Sequence, residues 1–271
     1  MPELPEVETT RRGLEPHVRR RRIVALEIYE RRLRWPVAAR LPAAVAGQRI
    51  AGISRRAKYL LLELQSGTLL LHLGMSGNLR VVKAGEPRRS HDHFDLVLDS
   101  GKALRFNDPR RFGSLLYTQA DPQRHALLKH LAPEPFDAAF DAEYLWRVTR
   151  RRRVAIKQLL MNSHLVVGVG NIYASEALFR ARIAPGRRAA TLSRAETAQL
   201  LRAVRAVLAQ AIRAGGTTLR DYVGADGAPG YFRQRLCVYE RAGKPCRRCG
   251  TAVRARTQGQ RSTYYCPTCQ T

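Results

Sequence analysis

Four of the five cysteines fall in the last 26 residues, as Cys246-x2-Cys249 and Cys266-x2-Cys269 with 16 residues between the pairs. Two thiolate pairs at that separation close a tetrahedral four-sulfur zinc site, each pair coming from a tight knuckle. Gly250 and Pro267 suit those turns. The alternative is two redox-active pairs. Four thiolates leave no open position, so one Zn2+ there is structural rather than catalytic. Between the pairs lie Arg254, Arg256 and Arg261 with Thr257, Gln258, Ser262, Tyr264 and Tyr265, a cargo suited to touching nucleic acid. Cys237 falls outside the spacing and reads as a small apolar residue.

The chain opens Met1-Pro2-Glu3. Met before Pro is normally processed, which makes Pro2 the expected mature start. Its α-amine has a reference pKa near ~8 against ~10.4 for lysine, roughly 200-fold more free base near neutrality. A secondary amine attacking a sugar C1′ gives an iminium that stays cationic without a proton, an electron sink for eliminating the 3′ phosphate. A carboxylic acid at Glu3 could protonate the sugar ring oxygen. Alone this is a weak signal, because many chains begin Met-Pro and use it for nothing.

A third candidate is Leu165-Val166-Val167-Gly168-Val169-Gly170-Asn171. Two glycines and an Asn at a helix start can present backbone N–H groups to an anion. An ordinary tight turn explains the same residues equally well, and no third glycine arrives at the dinucleotide-binding spacing. Lys157 and the run Arg150 to Arg153 favour a phosphate.

These groups need a scaffold, and 271 residues suffice for about two domains. Lys and Arg number 48 against 22 Asp and Glu, a net charge of +26, while 45% of residues are hydrophobic. The excess charge therefore sits on a folded body, and nucleic acid is its natural polyanion. No apolar run approaches the ~18 residues of a membrane span, and no signal-peptide pattern is present. The expected compartment is reducing and cytoplasmic, and the expected state a monomer.

Pro5, Glu6 and Glu8 suit a helix start, with Gly13 and Pro16 ending that helix. Strands follow at Val24–Ile28, Tyr59–Leu64, Thr68–Leu73, Phe94–Leu98, Ala103–Phe106 and Ser114–Thr118, implying a sandwich or barrel-like domain. Leu131-Ala132-Pro133-Glu134-Pro135 reads as a linker. Helices come next: Lys157–Asn162, Asn171–Arg182, and Ser193–Ala214, the last with Ser193 and Glu196 as a capping box and Gly215-Gly216 as its stop. The fold class is α+β. The expected domains are residues 1–132, an N-terminal β-sandwich with a leading helix; 133–235, helical; and 236–271, a zinc-ribbon finger.

Seven stretches occur in order: PELPEVETTRRGLEP (2–16), RRAKYLLLEL (55–64), HLGMSG (72–77), DPRRFG (108–113), VVGVGNIYASEALF (166–179), GGTTLRDY (215–222) and the four-cysteine finger. Together they resemble bacterial formamidopyrimidine-DNA glycosylase, over essentially the whole chain. The resemblance implies a bifunctional glycosylase and abasic-site lyase that excises oxidised purines (8-oxoguanine, formamidopyrimidines) from duplex DNA and cleaves the strand by β,δ-elimination. It implies Pro2 as Schiff-base nucleophile, Glu3 as general acid and Lys58 as a catalytic residue near the lesion. Met75, Arg110 and Phe112 would fill the gap left by the extruded base, with Arg110 reading the widowed cytosine. His72, Asn171 and Arg261 would bind phosphates, with Lys157 close by. The region around Gly168–Asn171 would be a helix–two-turn–helix element, and residues 215–232 would include a loop closing on the flipped base. Gln158 stands where close relatives are expected to carry Pro, which puts the local helix start in question.

Endonuclease VIII-type glycosylases, which act on oxidised pyrimidines, share the Pro-Glu start, the helical element and the finger. Leu4, Pro5, Met75, Arg110 and Phe112 favour the purine enzyme. A non-catalytic architectural DNA-binding protein would suit the charge and the finger equally well. Only Pro2, Glu3 and Lys58 argue against it.

Overall fold

The computed structural model describes residues 2–217 and 235–271. They form two compact units, residues 2–129 with 214–217, and residues 130–213 with 235–271. Most of the loop expected over 215–232 lies outside the described residues, as does Met1.

The first unit is a β-sandwich led by a helix. Helix α1 (Leu4–Val18) starts with Pro5 in its first turn. It does not stop at Gly13 or Pro16 but runs through both to Val18. A proline there forfeits one backbone bond and can strain the turn before it. The flanking Leu14 and Val18 are fully buried and hold the last turn against the core.

The strands are β1 (Ile23–Ile28), β2 (Ile50–Arg56), β3 (Tyr59–Leu64), β4 (Gly67–His72), β5 (Asn78–Lys83), β6 (Asp92–Leu98), β7 (Lys102–Asn107) and β8 (Ser114–Thr118), with a short helix α2 (Leu41–Val45) after β1. They make two four-stranded sheets, ordered β1-β6-β7-β5 and β2-β3-β4-β8, antiparallel at every pairing. Leu62, Leu69, Leu71 and Leu115 of one sheet meet Leu26, Leu79, Phe94, Leu96 and Leu104 of the other. Each leucine so buried contributes about 2 kcal/mol. Strands β2 and β5 were absent from the sequence reading. Gly52 coincides with a register irregularity in β2, and β5 reads N-L-R-V-V-K without clean alternation.

The second unit contains the helices α3 (Ala142–Thr149), α4 (Ile156–Leu160), α5 (Asn171–Arg180) and α6 (Arg194–Arg213). Helix α3 was also missed, although Asp141 caps it by accepting from Tyr144 N at 2.7 Å. The α6 capping box is present: Ser193 Oγ accepts from Glu196 N at 3.1 Å, and Glu196 Oε2 accepts from Ser193 N at 2.7 Å. Leu200, Leu201, Val204, Val207, Leu208 and Ala211 form its buried stripe. Helix α4 forms with Gln158 inside it. The finger supplies a two-stranded ribbon, β9 (Arg254–Gln258) and β10 (Arg261–Tyr265), with Arg261 opposite Gln258. Among the described residues, no helix is long and apolar enough to cross a membrane.

Candidate active site and nucleic-acid interface

Pro2 and Glu3 are both buried, and Glu3 is the residue on which α1 begins. A carboxyl group that is 1% exposed at a helix start has no hydrophobic reason to be there. Glu6, one turn on, holds this end in place. Its Oε2 accepts from Glu3 N at 2.9 Å, and its Oε1 accepts from Thr217 N at 2.8 Å. Glycine is required next to that contact. Gly216 has φ +82, and a Cβ there would stand 3.3 Å from Glu6 Cγ and Oε1.

Lys58 lies in the two-residue turn between β2 and β3, after Ala57 at φ +52. That left-handed alanine is held by Arg55, whose Nη1 donates to Ala57 O at 2.9 Å while its Nε meets Glu8 Oε2 of α1 at 3.2 Å. Burial pushes the Glu8 carboxyl up, but Arg11, Arg12 and Arg55 outweigh it and hold it below its usual value. The helix that follows Pro2 and Glu3 and the turn bearing Lys58 are thus joined by a half-buried ion pair.

His72 ends β4, opposite Tyr59 and Ser114. Its Nδ1 lies 2.9 Å from Gly74 N and must accept, so the imidazole is neutral with its proton on Nε2. Burial, then Lys58 and Arg34, depress its pKa to about 4 against a weaker pull from Asp108. Arg34, which the sequence reading passed over, also donates its main-chain N to Gly113 O at 3.0 Å.

Met75, Arg110 and Phe112 come together on two touching turns. Gly74 has φ +68, and a Cβ on it would lie 2.5 Å from Gly113 N and 2.6 Å from Phe112 C. The Arg110 guanidinium sits over the Phe112 ring at 5.1 Å. Phe112 is 44% exposed, so it is not a core residue.

The second unit carries Asn171, Arg261 and Lys157. Lys157 is expected close to the phosphate-binding residues. The structure buries it to 1% exposure, because its ammonium finds acceptors inside the unit. Its Nζ donates to Asn171 Oδ1 at 2.5 Å, Ser262 O at 3.1 Å and Thr263 Oγ1 at 2.7 Å. Lysine can only donate, so this contact fixes the orientation of the Asn171 amide. Asn171 Nδ2 donates to Ser262 O at 3.0 Å. Arg261, next to Ser262 on β10, is exposed. The turn before α5 needs glycine at Gly168, with φ +77, whereas Gly170 is extended.

A second unforeseen residue is Glu176 on α5. It is buried, and it accepts from Cys237 N at 2.8 Å and from Val238 N and Tyr239 N at 2.9 Å each. These bonds fasten the chain entering the finger to the helix that begins at Asn171. Burial pushes the Glu176 carboxyl up, and the three amides only partly counter it.

The four thiols converge, with all Sγ atoms within 4.8 Å of one another. Cys246 and Cys269 are 4.0 Å apart, and Cys249 and Cys266 3.5 Å. A tetrahedron with Zn–S near 2.3 Å has S···S edges of about 3.8 Å. The donor set fits one structural Zn2+, and Cys237 is not part of it.

A β-sandwich behind an N-terminal Pro-Glu, a helical unit and a four-cysteine ribbon define a class of DNA-repair glycosylase. Three family models match: the formamidopyrimidine-DNA glycosylase N-terminal domain at residues 1–115, the H2TH domain of the same enzymes at 131–223, and the zinc finger found in FPG and IleRS at 243–271. Formamidopyrimidine-DNA glycosylases from Thioalkalivibrio sulfidiphilus and Methylococcus capsulatus are 59% and 56% identical over 270 residues, covering both chains completely. Among solved structures, MutM (Fpg) from Thermus thermophilus superposes with TM-score 0.89 at 42% identity, covering 99% of this chain and 98% of that one. The Lactococcus lactis Fpg complex with abasic-site DNA gives 0.92 at 33% identity and 99% of each chain. This chain belongs to the formamidopyrimidine-DNA glycosylase family, whose members are base-excision repair enzymes.

Proposed function

We propose that this chain excises oxidised purines, 8-oxoguanine and formamidopyrimidines, from duplex DNA and then cleaves the strand at the abasic site through a covalent intermediate on Pro2. The observation that carries the reading is the burial of Pro2 and Glu3 together at the start of α1. The Lactococcus lactis neighbours bound to Fapy-dG and abasic-site DNA support the substrate class.

With Met1 removed, the Pro2 nitrogen attacks C1′ and the glycosidic bond breaks, the base leaving with a proton. Glu3 gives its proton to O4′ in that same step, so the ring opens as the base departs and an iminium is left between Pro2 and C1′. That cation acidifies C2′, whose proton is lost as the 3′ phosphate departs. A second elimination expels the 5′ phosphate, and water hydrolyses the iminium to free Pro2. Lys58 faces the lesion strand and assists these proton transfers.

Flipping the nucleotide costs a few kcal/mol. Met75 and Phe112 replace the lost stacking, and the Arg110 fork matches the two acceptors of the unpaired cytosine. His72 gives phosphate a neutral Nε2–H, Asn171 its second Nδ2 proton, and Arg261 a charge. Lys157 acts behind them by setting the Asn171 amide. Bound zinc supplies no chemistry and keeps the β9–β10 ribbon folded through Cys246, Cys249, Cys266 and Cys269.

The direct test is Glu3→Gln. Excision of 8-oxoguanine should be lost while a preformed abasic site is still cleaved. Equal loss of both activities would remove Glu3 from the base-release step.

A further inference from the structure

Asp108 has no part in the chemistry above, yet it is fully buried and three donors converge on its carboxylate. Ser76 Oγ donates to Oδ1 at 2.6 Å, Arg110 N to Oδ1 at 3.2 Å and Gly113 N to Oδ2 at 2.8 Å. Its main chain is held as well. Asp108 N donates to His91 O at 3.0 Å, and Asp108 O lies 2.7 Å from His93 Nε2 and accepts from Arg111 N at 3.1 Å.

The donors are not a random set. Ser76 follows Met75, while Arg110 and Gly113 bracket the turn that carries Phe112. One carboxylate therefore ties the backbone of the Arg110–Phe112 turn to the residue after Met75. The close approach of Gly74 to Phe112 and Gly113 joins the same two turns by contact. Arg111, inside the turn, is held at φ +55, a left-handed conformation that a non-glycine residue adopts only when its surroundings impose it.

We propose that Asp108 is the positioning residue that makes the Met75 turn and the Arg110–Phe112 turn one rigid wedge, and that discrimination of the base opposite the lesion depends on it. This rests on the void-filling role given above to Met75, Arg110 and Phe112. A carboxylate is the right group because it only accepts, and two of its donors are backbone N–H groups that cannot reverse. An asparagine has one accepting oxygen and an amide that donates. Turned either way, it sets N–H against the N–H of Arg110 or of Gly113. A wedge loosened in this way holds the Arg110 fork over a range of positions, and a bidentate reader loses selectivity before it loses binding.

The test compares Asp108→Asn, Ser76→Ala and Arg110→Ala on duplexes with 8-oxoguanine opposite cytosine or adenine, and on a preformed abasic site. Asp108→Asn should cut the cytosine-over-adenine ratio by about tenfold, while abasic-site cleavage stays within about twofold. Ser76→Ala removes only the bond between the two turns and should lower the ratio by about threefold without affecting folding. Adding Asp108→Asn to Arg110→Ala should lower the ratio no further, because both act through one reader. A folding defect would instead lower excision and abasic-site cleavage together and leave the ratio intact, which overturns the proposal. If Arg110→Ala flattens the ratio but neither Asp108→Asn nor Ser76→Ala does, Asp108 is not the positioning residue and the void-filling assignment stands. If Arg110→Ala leaves the ratio unchanged, the void-filling assignment itself is wrong.

Discussion

The two units hold their functional side chains in place with opposite charges. In the N-terminal unit the fixing groups are buried or half-buried carboxylates: Glu6 on the first turn of α1, Glu8 through Arg55 on the Lys58 turn, and Asp108 between the turns of Met75 and Phe112. In the C-terminal unit the group at the centre is a buried cation, Lys157, bonded to Asn171, Ser262 and Thr263. The difference follows from what each must hold. Tight turns and helix starts present surplus N–H groups and need acceptors. A strand carbonyl, a hydroxyl and an amide oxygen need a donor, and a lysine supplies three protons. Glu176 obeys the same rule inside the second unit, since it meets three backbone amides.

Zinc removal should break this comparison most severely. The ribbon strands carry mostly exposed residues, so the metal is a main support of the ribbon beside the Lys157 and Asn171 bonds to Ser262 and Thr263. Chelation, or Cys266→Ser, should release about one zinc per chain and weaken DNA binding by about tenfold or more, with the β-sandwich still folded. Metal analysis and binding on the same sample check it. Freshly purified, reduced protein without zinc would contradict it.

Lys157→Met is the next largest effect. It takes the Lys157 donor from Asn171 Oδ1 and Thr263 Oγ1 and leaves Ser262 O with Asn171 Nδ2 alone, at a cost of about 3 kcal/mol to the C-terminal unit. DNA affinity should fall, but the slope of log K against log salt should hold. A phosphate-binding lysine would instead give up about 0.9 of that slope. A reduced slope with unchanged stability would return Lys157 to the DNA surface.

The smallest effect concerns His72. With its pKa near 4, it is neutral from pH 5.5 upward, so the ratio of wild-type to His72→Ala affinity should be flat from pH 5.5 to 8. A cationic histidine of ordinary pKa would lose its contribution across that range. The sign for stability follows. The folded pKa lies below the unfolded value of ~6.5, so the stabilisation is present above ~6.5 and is lost as pH falls through about 4. A binding ratio that declines as pH rises would show the imidazolium to be the phosphate ligand.

Much of this was legible in the sequence, for identifiable reasons. The cysteine spacing, the Ser193–Glu196 cap and the α6 stripe are local patterns in which each residue reports on neighbours a few positions away. The sandwich strands with clean alternation were visible, and β2 and β5 were not, because a glycine and polar residues interrupt their period. The positioning groups were harder. Nothing around Lys157 in sequence says that its partners are Ser262 and Thr263, more than a hundred residues on. Glu176 gave a faint local signal as an acid within the apolar run of α5. Asp108 gave none beyond its place in DPRRFG, because its role depends on a turn that brings Ser76 alongside it.

The central claim is that Pro2 forms the covalent intermediate, and borohydride trapping on a lesion duplex tests it most directly. Intact mass should first show the loss of Met1. Peptide mapping of the reduced cross-link should then place the sugar remnant on the Pro2 nitrogen, with Lys58 unmodified. A remnant on Lys58 with Pro2 unmodified, or trapping that persists in protein retaining Met1, would contradict the account at the residue on which its chemistry depends.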